Sequence, residues 1–332
     1  MRRVPFILLL SVLFLNACGG SAPAPVPTSI PTSTSEPTSI PEPSPTPEAA
    51  MTPELLFEIT NDPDGMKDPY GIAINSAGRI YVTDAGNSRV LVFDGEGKLL
   101  SKWDAQGSGE GQFHSMGFGG LAIDPDDNVF VVDNGNHRVQ KFDKDGNFLL
   151  QWGSEGTGDG QFVRAIGIAT DKDGNIYVTD DGNPFVQKFD GNGNFIMKFG
   201  GAGTGDGQFS HATGIAVDAQ GNVFVADYEN KRVQKFDPAG EFLVTWNMGD
   251  DINIAGIPEA VAVSADDMVY VSDYSLGRLQ IFDNDGNFLW VLGGKSITKS
   301  LFKRPTGIAF DANGRMFIVN QSGNSVSVYQ LP

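Results

Sequence analysis

From residue 53 to residue 332 the apolar positions fall in short runs of about five, separated by Gly, Asp and Asn, which is strand patterning. Ile80–Asp84, Val129–Asp133, Ile176–Asp180, Val223–Asp227, Val269–Asp273 and Met316–Asn320 are each an apolar run closed by Asp or Asn. Successive closing residues lie 49, 47, 47, 46 and 47 positions apart. A steady period of this size, with strand-like runs and tight turns, predicts a ring of repeated four-stranded sheets.

One unit shows the parts. Gly214–Asp218 reads as strand a, Ala219–Asn222 as a tight turn and Val223–Asp227 as strand b. Arg232–Asp237 reads as strand c and Glu241–Trp246 as strand d. The inner strands are nearly continuously apolar, as expected where neighbouring sheets cover both faces; strand d alternates, as an outer strand should. The sixth copy stops after its third strand, Val326–Gln330, while Leu55–Ile59 at the other end reads as a strand d. Joining the two leaves no open sheet edge. The expectation is an all-β, six-bladed β-propeller with four antiparallel strands per blade. An N-terminal strand completes the last blade.

The unit's wording carries a resemblance. Gly214-Ile215-Ala216-Val217-Asp218, the Gly221-Asn222 turn, Ala226-Asp227 and Asn136-His137-Arg138-Val139-Gln140-Lys141-Phe142-Asp143 resemble the NHL repeat, and the likeness runs over residues 53 to 332. The resemblance implies the same six-bladed fold and two enzymatic comparisons. NHL-like amidating lyases place metal-binding histidines just before strand a. Here those positions are Tyr70, Gly119, Ile166, Thr213, Glu259 and Thr306, and the only histidines are His114, His137 and His211. A three-histidine zinc site is ruled out. Lactonase-like propellers hold a central calcium with Glu and Asn. Glu259 is one candidate ligand, but no full set accompanies it. No catalytic residue and no cofactor are expected, a central calcium being the one metal left open. A metal-dependent lyase or hydrolase at the channel mouth is the alternative reading.

The first fifty residues pattern differently. Arg2 and Arg3 precede an apolar run from Val4 to Leu15 that only Pro5 and Ser11 interrupt. This is too short to span a bilayer and suits a signal-peptide core. Leu15-Asn16-Ala17-Cys18-Gly19 then resembles a bacterial lipobox, which makes Cys18, the only cysteine, the expected site of lipidation. Residues 1–18 are read as a lipoprotein signal peptide. Residues 19–52, rich in Pro, Ser and Thr, are read as a disordered tether, and 53–332 as the propeller. At roughly 3 Å per residue, ~30 tether residues reach up to ~90 Å. The expected location is the cell envelope, extracytoplasmic, anchored by lipid to the outer face of a bacterial membrane.

Charge and composition narrow the partners. A formal net charge of −18 opposes reading of a nucleic-acid backbone, so no nucleic-acid partner is expected. One cysteine supports neither an internal disulfide nor a Cys-rich zinc module. The expected partner is a protein, peptide or small-molecule ligand outside the cytoplasm, with membrane contact only through the anchor.

Residues that recur in every blade are read as structural. Asp84, Asp133, Asp180, Asp227 and Asp273 should accept N–H bonds from the turns that follow them. Arg89, Arg138, Arg232 and Arg278 open strand c. The glycine-rich stretches 107–113, 156–162 and 203–209 lead into strands rather than helices, so they are blade connections plugged by Phe113, Phe162 and Phe209, not phosphate loops. Turns such as Asp143–Asn147 echo a calcium loop but lack its bidentate Glu.

What varies between blades is the candidate for function. In propellers the d-to-a and b-to-c loops share one face. Three residues before the strand-a glycine position stand Asp68, Gly117, Arg164, His211, Ile257 and Arg304. After the closing residue of strand b stand Ala85, Asn134, Asp181, Tyr228, Tyr274 and Gln321. Arg164, His211, Arg304, Tyr228 and Tyr274, with Glu259, are therefore expected to form a ligand site at the pore mouth. In blade 3, Pro184-Phe185 stands where the Asn-x-Arg word would continue. Phe185, with Met116 and Phe118 of a lengthened second loop, is expected to form a partner patch.

Overall fold

The computed structural model describes residues 53–60, 62–249, 256–293 and 301–331; the signal, lipidation and tether assignments fall outside these. Strand β1 (Glu54–Ile59) precedes blade 1, which is β2 (Pro69–Ile74), β3 (Ile80–Asp84), β4 (Arg89–Phe93) and β5 (Leu99–Trp103). Blade 2 holds β6 (Leu121–Ile123), β7 (Val129–Asp133), β8 (Arg138–Phe142) and β9 (Phe148–Trp152). Blade 3 holds β10 (Ala165–Thr170), β11 (Ile176–Asp180), β12 (Phe185–Phe189) and β13 (Phe195–Gly200). Blade 4 holds β14 (Ala212–Val217), β15 (Val223–Asp227), β16 (Arg232–Phe236) and β17 (Phe242–Asn247). Blade 5 holds β18 (Pro258–Val263), β19 (Val269–Asp273), β20 (Arg278–Phe282) and β21 (Phe288–Leu292). Blade 6 is β22 (Pro305–Phe310), β23 (Arg315–Asn320) and β24 (Ser325–Gln330), completed by β1. All pairings are antiparallel, and β1 meets β24 with Ile59 opposite Val326 and Phe57 opposite Val328. The six-bladed ring closed by its N-terminal strand is the architecture expected from the sequence.

The core lies between blades, so each apolar strand is covered on both faces. Trp103 packs on Phe142 of the next blade at 5.2 Å between ring centres, Trp152 on Phe189 at 5.6 Å, Phe199 on Phe236 at 4.9 Å and Trp246 on Phe282 at 5.7 Å. Phe113, Phe162 and Phe209 are fully buried against the same rings, as plugs of the glycine-rich connections. Toward the axis the blades converge closely. A Cβ on Gly71 would lie 2.9 Å from the Gly120 backbone, and one on Gly214 would lie 2.5 Å from Ala260 Cα.

The repeated Asp–Arg word has a structural explanation that differs in one respect from the expectation. Arg89, Arg138, Arg232 and Arg278 each donate through Nε to the carboxylate closing strand b, at 2.5 to 2.9 Å. The backbone donors, however, come mainly from the loop before strand a: Lys67, His114, Val163, Ser210 and Ile257. The turn after the strand adds a donor only at Gly182 and Leu276. The carboxylate thus staples the two upper loops of its blade together. The Asp143–Asn147 turn is a hairpin in which Asp143 Oδ1 accepts from the backbone N–H of Asp145 and Asn147.

Candidate functional site

The upper loops meet through the backbone. The residue after the closing residue of strand b donates its N–H to the carbonyl three residues before the strand-a glycine position. The pairs are Asp181 to Arg164, Tyr228 to His211, Tyr274 to Ile257 and Gln321 to Arg304, at 2.9 to 3.1 Å. The two variable columns of the sequence are therefore adjacent in each of blades 3 to 6 and rim one opening.

At that opening lies a cavity of about 230 Å³ whose lining includes Phe118, Arg164, His211, Tyr228, Tyr274 and Glu259. Arg304 completes the arrangement with its guanidinium 5.4 Å from the Tyr274 ring centre. Five residues taken from loop position alone, together with Glu259, are thus brought together. Below them a narrow channel runs between the glycines and aliphatic side chains of the inner strands.

Glu259 stands where cavity and channel meet, in a ring of neck positions otherwise filled by Tyr70, Gly119, Ile166, Thr213 and Thr306. It is 6% exposed, and the Tyr70 hydroxyl donates to its Oε1 at 2.5 Å. Burial pushes the Glu259 carboxyl up to about 7, with the Tyr70 hydrogen bond opposing and the negative Asp181 reinforcing. Burial, then the Glu259 charge, holds the Tyr70 phenol far above its usual range. Tyr228 and Tyr274 are also raised, first by burial; Arg304 pulls both back.

The rim is more balanced in charge than the sequence columns suggest. Arg164 forms an ion pair with Asp181, a residue the choice of candidates passed over. His211 lies between two carboxylates, 3.5 Å from Asp181 and 3.6 Å from Glu229. Tyr274 donates to Gln321 Oε1 at 2.8 Å. Asp181, Gln321 and Tyr70 stand in the same positional columns as the chosen residues, so the column was the available signal. A choice of cations and aromatics from the two rim columns leaves out Asp181 and Gln321, while Tyr70 stands in the column of Glu259. Arg304 has no carboxylate partner among the described residues. Among the described residues no group of three or more His, Cys, Asp or Glu has metal-holding geometry.

The partner patch is corrected. Met116 is fully buried in the core between blades 1 and 2, because its loop folds inward and its backbone is capped by Gly119. Phe118 is 43% exposed and packs edge-on against Tyr70 at 5.5 Å, which makes it part of the mouth. Phe185 is partly buried on β12 with Lys198 Nζ 5.2 Å over its ring. The three do not form one surface.

Fold and site define a class: a β-propeller with a polar, aromatic mouth over the buried carboxyl of Glu259. The NHL repeat model matches residues 67–93, 119–142 and 209–236, and the chain carries NHL repeats in a six-bladed ring. Similar solved structures include a streptogramin B lyase, with TM-score 0.60 and 14% identity over 85% of this chain and 98% of that one. A gluconolactonase from Xanthomonas campestris aligns with TM-score 0.59 and 18% identity over 80% and 86%. Virginiamycin B lyase from Staphylococcus aureus aligns with TM-score 0.60 and 12% identity over 85% and 100%. At these identities the likeness is one of fold. No curated protein sequence matches the chain.

Proposed function

We propose that this protein is an extracytoplasmic, lipid-anchored binding module whose propeller mouth takes a small amphipathic ligand. The observation that carries this is the convergence of variable residues from different blades on one cavity above Glu259. Tyr228 and Tyr274 offer flat apolar faces with polar tips. Arg304, free of a carboxylate partner among the described residues, suits an anionic group; Arg164 is already engaged by Asp181. A sugar acid or an acidic peptide end combines these features. The leader and Leu15–Cys18 support the location. The test is a panel of sugar acids and short peptides titrated against wild type and Arg304→Ala. At least one ligand should bind tenfold or more weaker to the variant. If all bind both proteins equally, the mouth is not the site.

One observation favours a second reading, a lyase or hydrolase. A buried carboxyl held near neutral pH by its surroundings is poised for proton transfer. Enzymes with related folds include those named lyase and gluconolactonase. Turnover of lactone or ester substrates with a pH break near that of Glu259, lost in Glu259→Gln, would favour it. No turnover across such a panel returns the reading to binding.

A further inference from the structure

Five blade junctions share one device at the face opposite the mouth. The turn between the third and fourth strands of a blade sets its glycine on the outer strand of the blade before it. A Cβ on Gly146 would lie 2.4 Å from Trp103, on Gly193 2.8 Å from Trp152, and on Gly286 2.4 Å from Trp246. On Gly240 it would lie 2.7 Å from Phe199, and on Gly97 2.9 Å from Ile59. The earlier blade often grips the turn's second carbonyl as well. Tyr81 Oη donates to Lys144 O at 2.8 Å, Lys141 Nζ to Gly191 O at 3.0 Å, Lys235 Nζ to Asn284 O at 3.0 Å and Arg315 Nη1 to Gly95 O at 2.8 Å.

The sixth junction has no such turn, because β24 and β1 come from opposite ends of the chain. At this place, between blades 5 and 6, lies a groove of about 250 Å³ lined by Tyr270, Trp290, Leu292 and Leu331, with Pro53 and Asp266 at its edges. Leu292 holds the strand position of Trp246, and Tyr270 that of Tyr81. The Tyr270 hydroxyl makes no hydrogen bond among the described residues. The strand-c lysine of blades 2 to 4 is Ile281 here.

We propose that this groove docks the tip of a β-hairpin from a partner protein. The five filled junctions define the complement: a glycine-bearing turn, its glycine on Leu292 and Trp290, a backbone carbonyl on Tyr270 Oη. The tip is neutral or basic. The lining supplies Asp266 where other junctions supply Arg79, Lys141, Lys235 or Arg315 to acidic turns. A second copy is not the occupant, since its five equivalent turns are already seated in its own ring.

The probe is a cyclised hairpin peptide with a Lys-Asn-Gly-Lys tip, titrated against the full chain by calorimetry and tryptophan fluorescence. Saturable binding is expected, at least tenfold weaker for a tip with Asp in place of Lys. Tyr270→Phe should weaken it at least fivefold while keeping the wild-type circular dichroism. Leu292→Trp, which supplies the residue type on which the seated turn glycines rest, should tighten it at least threefold. Binding that ignores both substitutions, or no binding at all, overturns the proposal. Binding only to the variant lacking residues 21–50 overturns it in favour of the chain's own N-terminal segment. A dimer that Tyr270→Phe dissociates overturns it in favour of a second copy.

Discussion

Glu259 and Asp180 are two buried carboxyls whose settings predict opposite repairs. Glu259 is raised to about 7 in the folded protein by burial, from an ordinary value near 4.5 when unfolded. Below that ordinary value both states are protonated and burial carries no ionisation penalty. As pH rises, the unfolded chain ionises first, and native stability falls until pH passes the folded value, by on the order of 3 kcal/mol. Glu259→Gln should remove this component. Relative to the variant, wild type should lose about 3 kcal/mol between pH 4.5 and 8 in urea unfolding, and parallel curves would contradict the assignment. Asp180 is raised mainly by burial, although the Arg164, Val163 and Gly182 amides donate to it. Phe185 stands opposite it, where the other complete strand-b Asp residues face Arg. Phe185→Arg should restore the ion pair, lower the Asp180 pKa and raise stability at pH 7 by about 1–2 kcal/mol. A melting temperature below wild type would show that the Phe185–Lys198 contact outweighs it.

The outer strands carry the same irregularity in every blade. The pairing of strands c and d skips one residue, leaving Leu56, Leu100, Leu149, Ile196, Leu243 and Leu289 as bulge residues, each 42 to 49% exposed. A bulge bends the edge strand away from flat pairing with another chain. It also changes which β1 side chains hold the ring closed. The structure exposes Leu56, leaves Phe57 partly covered and buries Ile59 completely. Ile59→Ala should therefore cost about 2–4 kcal/mol, and Leu56→Ala under about 1 kcal/mol, by denaturant unfolding. Deleting residues 53–60 should lower the melting temperature strongly, and deleting 21–50 should leave it unchanged. Equal melting of the two deletions would contradict closure through β1.

For the whole molecule, the acidic exterior and the charge-mixed mouth are separate features. Ion pairs such as Arg164–Asp181 neutralise the rim locally while the sequence as a whole stays at −18. Among the described residues no helix is long and apolar enough to cross a membrane. The proposed attachment rests on Cys18 and the Leu15–Cys18 motif. Cys18→Ala should abolish metabolic labelling with a fatty acid and move the protein from the membrane fraction to the soluble one. Unchanged membrane retention would remove the anchor from the proposal.

Blade number, strand order and the shared last blade were legible in the sequence because they depend on local period. A run such as Val223–Asp227 recurring every 46 to 49 residues admits few other closed arrangements. The mouth was legible as a set of positions, since loops that repeat in sequence must share a face. Its chemistry was not. Whether Arg164 faces a ligand or Asp181, and whether Glu259 is solvated or sealed by Tyr70, depends on side chains 17 and 189 positions apart. Met116 and Phe118, two positions apart, end one in the core and one at the rim, because their loop turns at Gly117 and Gly119. The seam at Tyr270 and Leu292 exists only through ring closure, where Pro53 and Leu331 meet blade 5. Period and turn chemistry act over a few residues and can be read in order; burial, ion pairing and the fit between blades arise only when distant segments are brought into contact.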